Sequence, residues 1–510
     1  MILRGGLVVD GTGSAGVIAD VAVENGLIVA VGDLADRDDE DSREVAGLVV
    51  APGFVDIHSH SDLSILGHRQ GTSKVLQGVT TEVVGNCGLA VTPVSSLEVA
   101  ALLRPLMSYC EDPSVTWDWT DVTSYRARVA AVDPALSIEV LAGHNTIRAS
   151  VMGLEARAAT DAEVGEMSRM LDQALEDGAL GMSLGLMYPP SSYADEAELI
   201  ALGRVIARHD AILASHMADY SEGLLDAVAA MIRIGEASGC RVQVSHLTAV
   251  GRPNWGLVAR ALEAIDAAVE RGVDVAADFY PYLAGSTNLS QALPGWAMAG
   301  GFGPLRVRLA DRADRARILE HFAARTLGWH ETLLVTTSSA PELDGLLVTE
   351  AADRRGVEPA ELVLGLLAEC DPTIVGFGRS EDDLRAVMRH PRSVLGSDGL
   401  AVDTAGSVGG RVPHPRFFGA FPALFERYVR EEHVLGLEEA VRKCTSAPAE
   451  RVRLRDRGRI APGLRADLVV FDQHTIADRS SYSDSRQVPA GIASVYRGGI
   501  EIARDGVVLA

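Results

Sequence analysis

Short apolar runs alternate with longer stretches of mixed polarity along most of this chain, and its two ends are patterned differently from its middle. From Met1 to about Val50, β-branched runs such as Asp20-Val21-Ala22-Val23 and Leu27-Ile28-Val29-Ala30-Val31-Gly32 are broken by turn residues, which predicts a small antiparallel sheet. Similar material returns in Ala466-Asp467-Leu468-Val469-Val470-Phe471, Ser494-Val495-Tyr496-Arg497 and Gly506-Val507-Val508-Leu509. Neither end holds enough strands to close a core alone. The two are therefore expected to build one β-sandwich from residues 1–52 and 448–510.

Between the ends, helical patterns at 161–179 and 221–238 alternate with short apolar strands, the signature of repeated βα units. Eight such strands can be counted, ending near Ile57, Val84, Leu141, Met182, Ala214, Val244, Ala276 and Leu395. That number predicts an α/β fold, a TIM (β/α)8 barrel over residues 53–447. A doubly wound open sheet fits less well, because no Gly-x-Gly-x-x-Gly follows an early strand. The stretch between the seventh and eighth strands is too long for one βα connection. An inserted lid or subdomain is expected at about 284–387, with an elaborated helix layer as the alternative.

With 47 % apolar residues the 510-residue chain can bury a large core. A net charge of −24, from 46 basic and 70 acidic side chains, opposes docking on nucleic-acid phosphates or anionic lipid. Met1-Ile2-Leu3-Arg4-Gly5-Gly6 lacks a basic segment leading into an apolar one, and no apolar run reaches membrane-spanning length, so a cytoplasmic location and a small-molecule partner are expected. Nothing in the pattern sets an oligomeric state. The cysteines at 87, 110, 240, 370 and 444 are odd in number and irregular in spacing. They are expected to be free thiols or metal ligands, and all but Cys87 to be small buried apolar residues.

Residues just past the C-terminal ends of barrel strands converge on one mouth. Here those positions carry His58-Ser59-His60 after the first strand, Cys87 after the second, His216 after the fifth, His246 after the sixth and Asp398 after the eighth. One such histidine is most often structural; five metal-capable side chains and an acid on one rim point to a metal site. Nitrogen and thiolate donors select zinc over magnesium or calcium. Cys87, His216 and His246 make a three-ligand set with a fourth position open to water, and Asp398 is the candidate general base. His144, at the end of the third strand, is expected either to line the pocket and polarise a carbonyl or to be structural.

With these residues in hand the chain resembles the amidohydrolase superfamily, and within it the N-acyl-D-amino-acid deacylases, over nearly its whole length. The resemblance rests on Ala51-Pro52-Gly53-Phe54-Val55-Asp56-Ile57-His58-Ser59-His60, Gly85-Asn86-Cys87-Gly88, Gly181-Met182-Ser183-Leu184-Gly185, Tyr280-Pro281-Tyr282, Gly396-Ser397-Asp398-Gly399 and His414-Pro415-Arg416. It implies zinc-dependent hydrolysis of an N-acyl-D-amino acid, with one tight zinc on Cys87, His216 and His246. A weaker second position is implied at His58 and His60 beside Asp398. Many relatives bridge two metals through a lysine after the fourth strand; this chain's only lysines are Lys74 and Lys443, so Cys87 takes that place. Tyr188, Tyr280, Ser286 and Arg416 are implied to hold the substrate carboxylate.

One departure is Thr248, where the resemblance expects a lysine. Loss of that cation implies carboxylate binding weaker by about 1.5–3 kcal/mol. The departure keeps a second enzymatic reading open: a cyclic amide, a D-containing dipeptide or a specialised biosynthetic intermediate as substrate. A barrel that had lost its chemistry and kept only a binding role would be expected to have eroded the metal set, which is intact.

Overall fold

The structure, a computed structural model, describes residues 1–37, 41–107, 112–324, 328–405, 408 and 412–509. Among them, parallel strands form a ring: Phe54–Asp56, Val79–Val84, a broken third strand (Ser137–Val140 and Ala142–Gly143), Gly181–Gly185, Ile212–His216, Arg241–Val244, Val275–Phe279 and Ser393–Leu395. The break in the third strand divides the ladder into two sheets, because Ser137–Val140 pairs with the second strand and Ala142–Gly143 with the fourth. Past the ends of the first and eighth strands the ring closes through Asp398 N–H on the His58 carbonyl (2.7 Å) and His60 N–H on the Gly399 carbonyl (2.9 Å). The eight strands are those of a (β/α)8 barrel.

The fourth, fifth and seventh strands run past their expected ends, to Gly185, His216 and Phe279. Polar residues that read as strand ends stay in the ladder because they are paired indoors. Ser183 Oγ donates to the Gly85 carbonyl, and Asp278 accepts hydrogen bonds from two neighbouring elements. The helix Asp161–Glu176 starts where Thr160 and Glu163 form a reciprocal capping box, and buries Met167, Leu171, Ala174 and Leu175 on one face. Glu196–Arg208, Leu224–Ser238 and Leu257–Glu270 follow in the same way, each laying an apolar stripe on the outside of the ring.

The ends of the chain meet in one nine-stranded sheet. Val49–Pro52 lies between Ile2–Val8, to which it runs parallel, and Leu468–Phe471, to which it runs antiparallel. This sheet has its own apolar cluster, including Leu3, Val21, Ile28, Val50, Leu468 and Tyr496. The helix Ser446–Arg451 falls partly inside the expected terminal segment but serves the barrel, since Ala447 and Val452 join Ile57, Val83, Leu141 and Ile212 in a separate cluster.

Between the seventh and eighth strands, Gly285–Asn288, Thr332–Thr336 and Thr373–Gly376 form a three-stranded antiparallel sheet. An apolar cluster distinct from the main core packs beside them, drawn from helices such as Phe302–Ala310 and Pro359–Glu369. The helix Glu381–Arg389 lies within the expected insertion, yet its Leu384, Val387 and Met388 pack into the main core. No helix among the described residues is long and apolar enough to cross a membrane. Cys87, Cys240, Cys370 and Cys444 are free thiols, and Cys110 lies outside the described residues. Cys240 and Cys444 are buried as expected, but Cys370 is half-buried: it caps the end of Pro359–Glu369, where Ser339 Oγ approaches its sulfur at 3.1 Å.

Candidate metal centre and active site

Cys87 reaches the mouth of the barrel on a tight turn. Gly85 and Gly88 both have positive φ, and a side chain at Gly85 would collide with the Leu141 carbonyl, so glycine is required there. Asn86 Nδ2 ties the turn back to the Val83 carbonyl at 2.9 Å. Cys87 itself sits at φ 56°, His246 at φ 36° and Asp398 at φ 54°, a left-handed region that non-glycine residues rarely occupy. Such backbone concentrates at functional sites, where surrounding structure holds it. For His246 the conformation matters directly. Val242 and Val244 belong to the apolar layer shared with Leu224–Ser238, so simple alternation would turn His246 outward; instead its ring faces Cys87.

The side chains converge closely. His58 Nε2 lies 3.3 Å from Cys87 Sγ and 3.5 Å from Asp398 Oδ1. His60 Nε2 lies 3.0 Å from the same carboxylate oxygen, and His246 Nε2 lies 3.6 Å from Cys87 Sγ. The ligand atoms fall into two groups sharing Cys87: one is Cys87, His216 and His246, the other His58, His60, Cys87 and Asp398. Within each group the atoms all lie within 4.8 Å of one another. All six side chains are buried.

Electrostatics fit such a centre. Against the opposing effect of burial, the charge of His58 and the nearby imidazoles of His216 and His246 hold the Cys87 thiol well below its usual range, as a thiolate. Burial holds His216 below its usual value, in the neutral form that binds metal, and neither of its ring nitrogens makes a hydrogen bond of good geometry. A buried imidazole with two such nitrogens, facing a thiolate, is a donor set waiting for a soft or borderline cation. Asp398 is held well below the carboxylate range: burial opposes this, while Arg416, His58 and a hydrogen bond from His60 produce it. Asp398 is thus held ionised.

Asp278, on the seventh strand, was not singled out from the sequence. It accepts from His58 Nδ1 at 3.0 Å, from the His246 N–H at 2.7 Å and from Gln243 Nε2 at 3.1 Å, and so orients two of the histidines. The visible signal was an acid inside the apolar run Val275-Ala276-Ala277-Asp278-Phe279, since a buried carboxylate needs partners. Tyr220 was also missed: its ring lies 5.1 Å from those of both His216 and His246, and its hydroxyl accepts from the Met217 N–H. Lys74, fully buried, donates to Asp56 at 2.7 Å, lies 3.2 Å from Glu82 and reaches Ser397, tying the first, second and eighth strands together behind the histidines.

Asp278→Ala is expected to lower unfolding stability by about 3–5 kcal/mol, because it breaks a buried charge pair. Zinc affinity is expected to fall roughly 10–100-fold, as on loss of an outer partner of a metal ligand. Urea denaturation and competition with a chromogenic chelator measure the two effects; unchanged zinc affinity would remove Asp278 from the centre.

The expected carboxylate-binding residues gather on one side. Arg416 Nη1 lies 3.0 Å from Asp398 Oδ2, its Nη2 donates to the Ser286 carbonyl at 3.3 Å, and its guanidinium lies over the Tyr280 ring. The Tyr188 ring is 4.8 Å from that of His216, and its hydroxyl is 3.2 Å from Thr287 Oγ1. His144 is placed apart from this group. Fully buried, it is bonded through one ring nitrogen to Ser191 and through the other to Glu198 at 2.8 Å, behind the loop that carries Tyr188.

A family model described as amidohydrolase family matches residues 45–502. The chain belongs to the amidohydrolase family. This amidohydrolase is 35 % identical over 506 residues to a D-aminoacylase of Alcaligenes xylosoxydans xylosoxydans, an alignment covering 99 % of this chain and 94 % of that protein. Among solved structures it is similar to the N-acyl-D-glutamate deacylase of Bordetella bronchiseptica, complexed with zinc and a phosphonate mimic of the tetrahedral intermediate (33 % identity, TM-score 0.86, covering 99 % of this chain and 97 % of that one). It is equally similar to a D-aminoacylase whose binuclear metal center is characterised by one-metal activation and second-metal attenuation (34 % identity, TM-score 0.85, covering 99 % and 97 %).

Proposed function

We propose that this amidohydrolase is a zinc-dependent N-acyl-D-amino-acid deacylase, releasing a carboxylic acid and a free D-amino acid. The observation that carries the reading is the pair of donor groups sharing Cys87, with Asp398 at their edge. Cys87, His216 and His246 would hold the tight zinc; His58, His60 and Asp398 would make the weaker second position. Zinc bound there supplies Lewis acidity toward an amide carbonyl and makes water acidic enough to react near neutral pH.

The protein's own groups do the rest. Asp398 takes a proton from the attacking water and returns it to the departing nitrogen, which otherwise leaves as a poor anion. Arg416, Tyr188, Tyr280 and Ser286 hold the substrate carboxylate, and the guanidinium suits it because its planar fork donates two parallel hydrogen bonds. His144 acts through others: its bonds to Ser191 and Glu198 support the Tyr188 loop. The terminal sheet is read as the β-sandwich domain, residues 1–52 and 448–510, supported by its own apolar cluster. The insertion at about 284–387 is read as a lid, supported by its separate core and by its contribution of Ser286 to the Arg416 contact.

A hydrolysis screen of the zinc-loaded protein against N-acetyl-D- and N-acetyl-L-amino acids tests this. Turnover confined to the D series is expected. No turnover at stoichiometric zinc would redirect the substrate to a cyclic amide or a D-containing dipeptide.

A further inference from the structure

The pocket beside the metal centre holds a guanidinium that the family resemblance does not call for. Its walls include His246, Thr248, Tyr280, Tyr282, Arg379 and Ser380. Arg379 follows the insertion strand Thr373–Gly376 and precedes the helix Glu381–Arg389, so it enters from the insertion side and not from a barrel strand. Its backbone is fixed: Arg379 bridges Val250, and the Gly378 carbonyl accepts from Trp255 Nε1 at 3.0 Å and from the Gly251 N–H at 3.1 Å.

The side chain is equally well placed. Nη1 donates to the Tyr280 hydroxyl and the guanidinium carbon lies 5.0 Å from the Tyr280 ring centroid. Gly285 leaves the room: a Cβ there would occupy the space of Nη2. Arg416 lies over the same ring, its guanidinium carbon 4.7 Å from the centroid, but it is opposed by Asp398 at 3.0 Å. Arg379 is half-buried and has no carboxylate within 4.0 Å among the described residues. Neighbouring His414 is held well below its usual value by burial and then by Arg416 and Arg379, so it stays neutral beside the two guanidinium groups.

A half-buried, fork-shaped cation with no acid beside it, opening onto a metal-binding histidine, is a receptor for a carboxylate. Resting on the deacylase reading, we propose that Arg379 is a specificity-determining residue that binds the α-carboxylate of the N-acyl-amino-acid substrate. Thr248 fits this arrangement, since it lines the same pocket as His246 and Arg379 with a short neutral side chain. The cation absent from the sixth-strand loop is supplied from the insertion, and Arg416 is left to serve Asp398 as well as the substrate.

The test compares an acid with its uncharged analogue, N-acetyl-D-leucine with N-acetyl-D-leucinamide, in wild type, Arg379→Leu and Arg379→Lys. Binding is read by calorimetry on the metal-free protein, which avoids turnover, and KM and kcat are read on the zinc-loaded protein. Arg379→Leu is expected to weaken acid binding and raise KM by about 10–100-fold, with kcat falling much less and the amide's affinity unchanged; Arg379→Lys should recover part of the loss. Equal weakening of acid and amide would assign Arg379 a structural role and overturn the proposal, as would an unaltered acid affinity or a wild type that binds the acid no better than the amide. If zinc-loaded wild type fails to hydrolyse N-acyl-D-amino acids while the metal-free protein keeps an Arg379-dependent preference for the acid, the deacylase reading falls and the carboxylate site stands.

Discussion

Asp398→Asn is expected to lower kcat by about 10²–10⁴-fold, the usual contribution of a positioned general acid or base. The amide keeps the shape of the carboxylate and can still meet Arg416 and His60, so the fold and the Cys87–His216–His246 group should survive, with one tightly held zinc per chain. What disappears is the capacity to take a proton. The loss should appear in kcat for the acylated D-amino acid while zinc content by elemental analysis stays unchanged. A variant with full zinc and near wild-type kcat would move the proton-transfer role away from Asp398.

Cys87→Ala removes the atom common to both donor groups. Tight zinc is expected to weaken by at least roughly a hundredfold, more than loss of an outer hydrogen-bond partner costs, and kcat/KM should fall with metal content after dialysis. Circular dichroism should match the wild type. The comparison with Asp398→Asn is informative because the two losses arise differently: one variant keeps its metal and cannot move a proton, the other keeps its base and cannot hold metal. Stoichiometric zinc in Cys87→Ala would show that the histidines suffice.

The barrel was legible because eight apolar runs alternate with helical patterns, and because His58, His60, Cys87, His216, His246 and Asp398 each follow a run. Motif placement relative to strand ends is local information, and a single sequence carries it. What the pattern hid was partnership across distance. Asp278 fell beyond the expected strand end near Ala276, and it stays in the strand because it is paired with His58 and Gln243 from elsewhere in the barrel. Arg379 carried no signal in the sequence, since only the tertiary fold brings it to Tyr280. His144 shows the converse: its position at a strand end left a pocket role and a structural one open, and only the fold brings its ring to Ser191 and Glu198, which come from the loop and helix after the fourth strand. The insertion's limits blurred for a similar reason, because the apolar face of Glu381–Arg389 does not announce which core it joins.

The central strand of the terminal sheet, Val49–Pro52, finds one of its two partners immediately and the other only in Leu468–Phe471. During synthesis, therefore, the N-terminal strands leave the ribosome early and wait, one edge unsatisfied, while almost the entire barrel is made. An open apolar edge is a template for wrong pairing until it is covered. Termination after the eighth barrel strand, which ends at Leu395, and before Leu468 would leave a barrel whose sheet has no closing half, and expression as such a C-terminally shortened product should yield aggregate even where every metal ligand is present.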